Sequence, residues 1–195
     1  MTGNSQSKFR AVVVGVSSGG VEALKQVIGS LPGDFPLPVM VVAHISPEAD
    51  NGLALLLDDL CAIRVKEADE LEKAAAGTVF LAPPNYHLQV EKDATLSLSV
   101  DPPVRFARPS VDVLFEAAAD AFGPALIGVV MTGAGCDGSE GLRRIKEAGG
   151  IAVVQDPAGA VADAMPRSAI EAVVPDYIVP LERIAPLLVR LATEP

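Results

Sequence analysis

Tryptophan is absent from the 195 residues, and aromatic side chains make up only 4% of them. A core must therefore be assembled from Val, Leu, Ile and Ala, within a hydrophobic content of 50%. Such a core suits a parallel sheet covered on both faces by helices. Cysteine is scarce: Cys61 and Cys136 are too few for a disulfide framework and read as reduced thiols. Only His44 and His87 can serve as an imidazole base. Basic residues number 15 against 25 acidic ones, and the net charge of −10 argues against nucleic acid or an anionic membrane surface as the main partner. No apolar run approaches the ~20 residues of a membrane span, which argues against membrane insertion. The polar start, residues 1–10, lacks the apolar segment of a signal peptide, so a cytoplasmic protein is expected.

What the chain does have is alternation. Apolar runs over 10–16, 39–43, 78–81, 126–132 and 151–155 read as buried strands, with a shorter one over 63–65. Helical spacing follows over 20–30, 50–59, 110–122, 141–148, 165–172 and 181–191. Residues 87–91 and 95–100 alternate strictly about Lys92-Asp93-Ala94 and predict a β-hairpin with one wet face. Together these predict an α/β fold: a doubly wound, mostly parallel, Rossmann-like three-layer sheet with an added β-hairpin. Residues 1–9 are expected to form a disordered arm, and no repeat or low-complexity linker marks a second domain.

The chemistry concentrates at strand ends, where ligands gather in open α/β sheets. Gly15-Val16-Ser17-Ser18-Gly19 spells G-x-S-x-G between a strand and a helix, an arrangement that exposes a serine hydroxyl on a tight corner. The same residues could equally form a turn and helix cap. The second strand ends at His44, and the strand over 126–131 runs into Thr132-Gly133-Ala134-Gly135-Cys136-Asp137-Gly138. Serine, histidine and aspartate on three strand ends supply nucleophile, base and orienting carboxylate for acyl transfer. His87, in a Pro-Pro-Asn-Tyr loop, reads as structural or substrate-lining. Asp137 could instead cap the helix that follows it. No ligand spacing to His44 supports a metal, and no cofactor is called for.

A dinucleotide-binding module is the rival reading. Gly133 to Gly138 is a literal G-x-G-x-x-G between strand and helix, with Asp156 at the distance expected of a ribose-binding acid. Against it, Asp137 puts a fixed negative charge where a pyrophosphate would sit.

Several separated motifs occur in an order that resembles the catalytic domain of CheB, the chemotaxis protein-glutamate methylesterase. They are Gly15 to Ala23, Ala43-His44, Ala82-Pro83 with His87, Arg108 to Phe115, Met131-Thr132-Gly133-x-Gly135-x-Asp137-Gly138, and Met165-Pro166. The resemblance implies a Ser17 nucleophile, a His44 base and an Asp137 orienter, in the chain order Ser…His…Asp, unlike the Ser…Asp…His of α/β-hydrolases. It implies hydrolysis of glutamate methyl esters on methyl-accepting chemoreceptors, glutamine deamidation by the same triad, and a role in chemotaxis signalling. Ser18 and Ala134 are expected to serve the oxyanion, and Arg105, Arg108 and Arg167 to form a basic rim toward substrate. Residues 10–192 are expected to form the catalytic domain, without the receiver domain that the resemblance would add, and control by a separate regulatory protein is one option. Ala134 stands where methionine is common, Cys136 fills a variable slot, and Ile45 to Glu48 replace a Pro- and Gly-containing loop. A related serine esterase or amidase with a non-chemotaxis substrate is the alternative within the same fold.

Overall fold

The computed structural model describes residues 7–44 and 51–193. The first apolar run forms β1 (Ala11–Val16), buried at all six positions. Beside it lies β2 (Val39–Ala43), parallel and in register from Val12 opposite Val39 to Val16 opposite Ala43. Two further parallel strands, β3 (Arg64–Glu67) and β4 (Thr78–Leu81), complete that flank, with β3 at the edge. The alternating segment forms an antiparallel hairpin of β5 (His87–Val90) and β6 (Leu96–Ser99) outside the main sheet. On the other flank of β1 come β7 (Leu126–Val130), β8 (Ile151–Gln155) and β9 (Tyr177–Val179), all parallel. The sheet order is β3-β4-β2-β1-β7-β8-β9. The chain winds outward from β1 in one direction and from β7 in the other. Their carboxyl ends therefore flank the crevice at which α/β sheets bind ligands.

Among the described residues, six α-helices cover the sheet: α1 (Gly20–Ile28), α2 (Gly52–Leu60), α3 (Val111–Phe122), α4 (Ser139–Glu147), α5 (Ala164–Ala172) and α6 (Leu181–Thr193). Because side chains alternate along a strand, β1 sends Val12, Val14 and Val16 to the layer of α1, α2 and α6. It sends Ala11 and Val13 to the layer of α3, α4, α5 and the hairpin. Two buried faces explain why the strands read as unbroken apolar runs rather than alternating ones. Gly15 faces the α3 layer, where a Cβ would run into the Val111 side chain. Its lack of a side chain lets the start of α3 approach the sheet.

The expected three-layer α/β fold with its hairpin is what forms. Strand β9 was not anticipated, being three residues between Asp176 and Pro180 with only partial burial. The second helix begins at Gly52 rather than at residue 50, and α4 begins at Ser139 rather than at residue 141. Of the expected arm, residues 1–6 lie outside the described residues, while Phe9 is buried in the core beneath the α1 layer. The Ile45 to Glu48 segment also lies outside the described residues.

Candidate active site

Three strand ends converge. Ser17 follows β1, and its amide donates to Thr132 O at 2.9 Å, joining the nucleophile turn to the loop after β7. Gly19 carries φ +77, and a Cβ there would come within 2.7 Å of Val161 Cβ, so the turn needs glycine on two counts. The Ser17 side chain lies against Gly133: a Cβ on that glycine would stand 2.9 Å from Ser17 Cβ. His44 follows β2, and its amide donates to Val16 O at 3.1 Å. Since Val16 pairs with Ala43, Ser17 and His44 are the next residues along two adjacent parallel strands.

Asp137 comes from the loop between β7 and α4, and its Oδ2 lies 2.8 Å from His44 Nε2. The carboxylate is nearly buried, while the imidazole is 23% exposed. The rest of Asp137 is fully used. Its Oδ1 accepts from Ser110 Oγ at 2.8 Å and from the Asp112 amide at 2.9 Å; its Oδ2 accepts from the Val111 amide at 2.7 Å. Asp137 thus caps α3, a helix 25 residues upstream, and not the helix it precedes. Ser110 occupies the N-cap position of α3 but makes no capping bond with its own side chain. Burial alone would raise the Asp137 carboxyl; the bonds from His44, the two amides and Ser110 outweigh it and hold the group below the usual carboxylate range.

Asp112 reverses the arrangement. Its Oδ1 accepts from the Gly138 amide at 2.9 Å and the Gly141 amide at 2.8 Å, so it caps α4. Burial, together with the negative charge of Asp137, raises Asp112 to about 6 despite those amides and Arg105. This cap removes the dinucleotide alternative, because the α4 N-terminus that would cradle a pyrophosphate already holds a carboxylate. Asp156 is engaged as well, accepting from the Ala158 amide in its own turn at 2.9 Å.

A cleft of about 590 Å³ opens beside this junction, with His44, Asp137, Cys136, Arg105, Phe106 and Arg108 on its walls. The expected basic rim is largely spent on internal partners. Arg108 donates to Asn85 Oδ1 (3.0 and 2.7 Å), Val100 O (2.7 Å) and Asp101 O (3.0 Å), fastening the cleft loop to the hairpin. Arg105 reaches Cys136 Sγ at 3.0 Å and Asp112 Oδ2 at 3.4 Å. Arg167 pairs with Asp163 at 2.6 Å and is not on the cleft wall. Ser18 and Ala134 are both exposed, in the turn after β1 and the loop after β7. The Ser18 carbonyl accepts from Thr132 Oγ1 at 2.8 Å, which fixes that peptide.

Sequence reading missed Ser110 and Asp112 as members of the site. Their partners lie 27 and 26 residues away, beyond any local pattern.

Comparison with known proteins places the chain in a family. A family model described as CheB methylesterase matches residues 12–188. A putative protein-glutamate methylesterase/protein-glutamine glutaminase of Leptospira interrogans is 50% identical over 183 residues, spanning 94% of this chain and 95% of that protein. Protein-glutamate methylesterase FrzG of Myxococcus xanthus is 40% identical over 182 residues, which cover 93% of this chain and 54% of that protein. The crystal structure of the Thermotoga maritima CheB methylesterase catalytic domain aligns with a TM-score of 0.90 at 34% identity, covering 94% of this chain and 98% of that one. With family model, relatives and solved structure in agreement over nearly its whole length, the chain belongs to the CheB methylesterase family.

Proposed function

We infer that the protein is a serine hydrolase that removes methyl esters from glutamate side chains of methyl-accepting chemoreceptors, in adaptation of chemotaxis signalling. One observation carries the reading: the His44 Nε2 to Asp137 Oδ2 bond of 2.8 Å, at a strand end next to that of Ser17. With Nε2–H donated to Asp137, Nδ1 is the ring nitrogen that takes the serine proton. Ser17 Oγ attacks the side-chain ester carbonyl as His44 accepts that proton, and Asp137 stabilises the imidazolium. The tetrahedral oxyanion is held by backbone N–H groups of Ser18 and the Ala134 loop, each such donor worth about 3 kcal/mol. Collapse breaks the ester C–O bond and His44 returns the proton, so methanol leaves. Water then attacks the acyl-enzyme by the same route, releasing glutamate and regenerating Ser17. A glutamine substrate loses ammonia instead of methanol.

The residues over 10–192 act as the catalytic domain, and the reaction runs on side chains and backbone amides without a cofactor. The substrate is a receptor segment in the cytoplasm, presented to the cleft beside His44. A fluorophosphonate probe tests the triad directly. Stoichiometric labelling at Ser17, lost in Ser17→Ala and in His44→Ala, is expected; labelling that survives either substitution contradicts the assignment.

A further inference from the structure

The first amides of a helix have no intrahelical partners and must be satisfied from outside. At the start of α3, Asp137 takes the amides of Val111 and Asp112. The amide just before them, that of Ser110, goes elsewhere. It donates to Nδ1 of His87 at 3.2 Å, across 23 residues of chain. His87 opens β5 in the hairpin and is 1% exposed. Its other nitrogen, Nε2, lies 3.2 Å from Pro102 O. The amide demands an acceptor and the carbonyl demands a donor, so the ring carries its proton on Nε2 and presents a lone pair at Nδ1.

Ser110 is itself wholly buried and joins two anchors. Its backbone is held by His87, and its hydroxyl donates to Asp137 Oδ1 at 2.8 Å. An unbroken series of contacts thus runs from the hairpin to the imidazole: His87, Ser110, Asp137, His44. The segment immediately before Ser110 offers no regular support, since Arg105 and Phe106 sit in the left-handed region at φ 48 and 66. Its backbone is joined by an isolated bridge between Val104 and Ala107, while its arginine side chains reach out to Cys136, Asp112, Asn85 and the Val100 and Asp101 carbonyls. The hairpin histidine thus holds the backbone amide of the residue at which α3 begins.

We propose that His87 is a positioning residue for the hydrolysis: by accepting the Ser110 amide it sets Ser110, and through it the Asp137 carboxylate that orients His44. The proposal rests on the triad reading above. His87 does not line the substrate cleft, and its ring bonds go to Ser110 and Pro102, so it acts on the reaction through Ser110 and Asp137.

Two amide substitutions separate the ring nitrogens. In His87→Asn the side-chain oxygen reaches the place of Nδ1 and can accept the Ser110 amide. In His87→Gln the amide nitrogen reaches the place of Nε2, so the bond to Pro102 survives and the bond to Ser110 is lost. The full chain is assayed for kcat and KM on methylated receptor and for the rate of fluorophosphonate labelling at Ser17, each corrected for folded fraction. Small displacements of catalytic groups can cost up to about 100-fold, so His87→Gln is expected to lower kcat and labelling rate about 10-fold with KM within about twofold. His87→Asn is expected to recover most of that loss. Equal loss in the two variants, or unchanged kinetics with only a lowered melting temperature, overturns the proposal. If His87→Gln does not fold, Ser110→Ala breaks the next link with His87 intact; it must show the same loss in kcat alone, and full activity there overturns the proposal. Wild-type protein that does not label at all instead removes the triad reading, and the positioning role with it.

Discussion

Asp137 and Asp112 cap each other's helices: Asp137 accepts the Val111 and Asp112 amides that begin α3, while Asp112 accepts the Gly138 and Gly141 amides that begin α4. Two buried carboxylates are thereby held close, with Asp137 on the cleft wall and each stabilised by the positive end of a helix. The cost of proximity falls unequally. Asp137, with four donors including His44, stays ionised; Asp112, with Arg105 only 3.4 Å away and half exposed, is the one driven up to about 6. The site keeps its charge on the residue that faces the imidazole.

That inequality predicts a pH dependence of stability. Folding raises the Asp112 carboxyl above its ordinary 3.8, so its protonated form is favoured in the folded state. Its contribution is present below about pH 4 and lost as pH rises through about 6. Asp112→Asn can still accept both amides and carries no charge. Chemical denaturation from pH 4 to 7 should show the variant gaining on wild type as pH rises. A difference that is flat, or that favours wild type at pH 7 more than at pH 4, contradicts the assignment.

Asp137→Asn should damage both folding and turnover. All four polar partners of Asp137 are donors, and an amide group offers an acceptor at only one end. Loss of kcat by about 10³–10⁴-fold is expected if the carboxylate fixes the imidazole tautomer. Stability should fall by about 1–3 kcal/mol from donors left unmatched. Steady-state kinetics beside a urea melt separates the two effects.

The layers of the fold were legible because they depend on local signals. Unbroken valine runs such as Val12-Val13-Val14 can only be buried on both faces, and the strict alternation of 87–90 and 96–99 marked the hairpin. The positions of Ser17 and His44 were legible because each directly follows such a strand, and that of Asp137 because it lies in the glycine-rich loop after a third. What could not be read was which helix start each carboxylate would serve. Asp112 and Asp137 both sit beside helix starts, and sequence spacing assigns each to its own helix. The parallel sheet brings α3 and α4 side by side and exchanges the caps. The internal partners of Arg105 and Arg108 could not be read for the same reason. A surface arginine offers no sequence signal of the Asn85, Asp101 or Cys136 group that it will meet in the folded chain.

Gly15 supplies a packing test. Gly15→Ala places a methyl group against Val111 at the start of α3 and should cost about 1–3 kcal/mol, the usual penalty for overpacking. Because α3 carries the amides that hold Asp137, kcat should fall as well. Adding Val111→Ala makes room and should recover stability and kcat together. Recovery of stability without recovery of kcat would separate α3 from the catalytic geometry.

Arg108 is expected to act on the cleft wall rather than on substrate charge. Its planar fork serves three acceptors at once, which lysine cannot match. Arg108→Lys keeps the charge and should nevertheless weaken turnover on receptor nearly as much as Arg108→Ala. Activity close to wild type in the lysine variant would return Arg108 to the role of a docking charge.

Ser17 is the proposed nucleophile toward receptor methyl esters. Membranes bearing chemoreceptor methylated with labelled methyl groups, incubated with the protein, give the direct measurement: volatile methanol released over time. Wild type should release methanol, and Ser17→Ala, folded to the same extent, should lose about 10³-fold or more of that rate. Equal release by the two proteins, or none by a wild type whose Ser17 labels with fluorophosphonate, would contradict it.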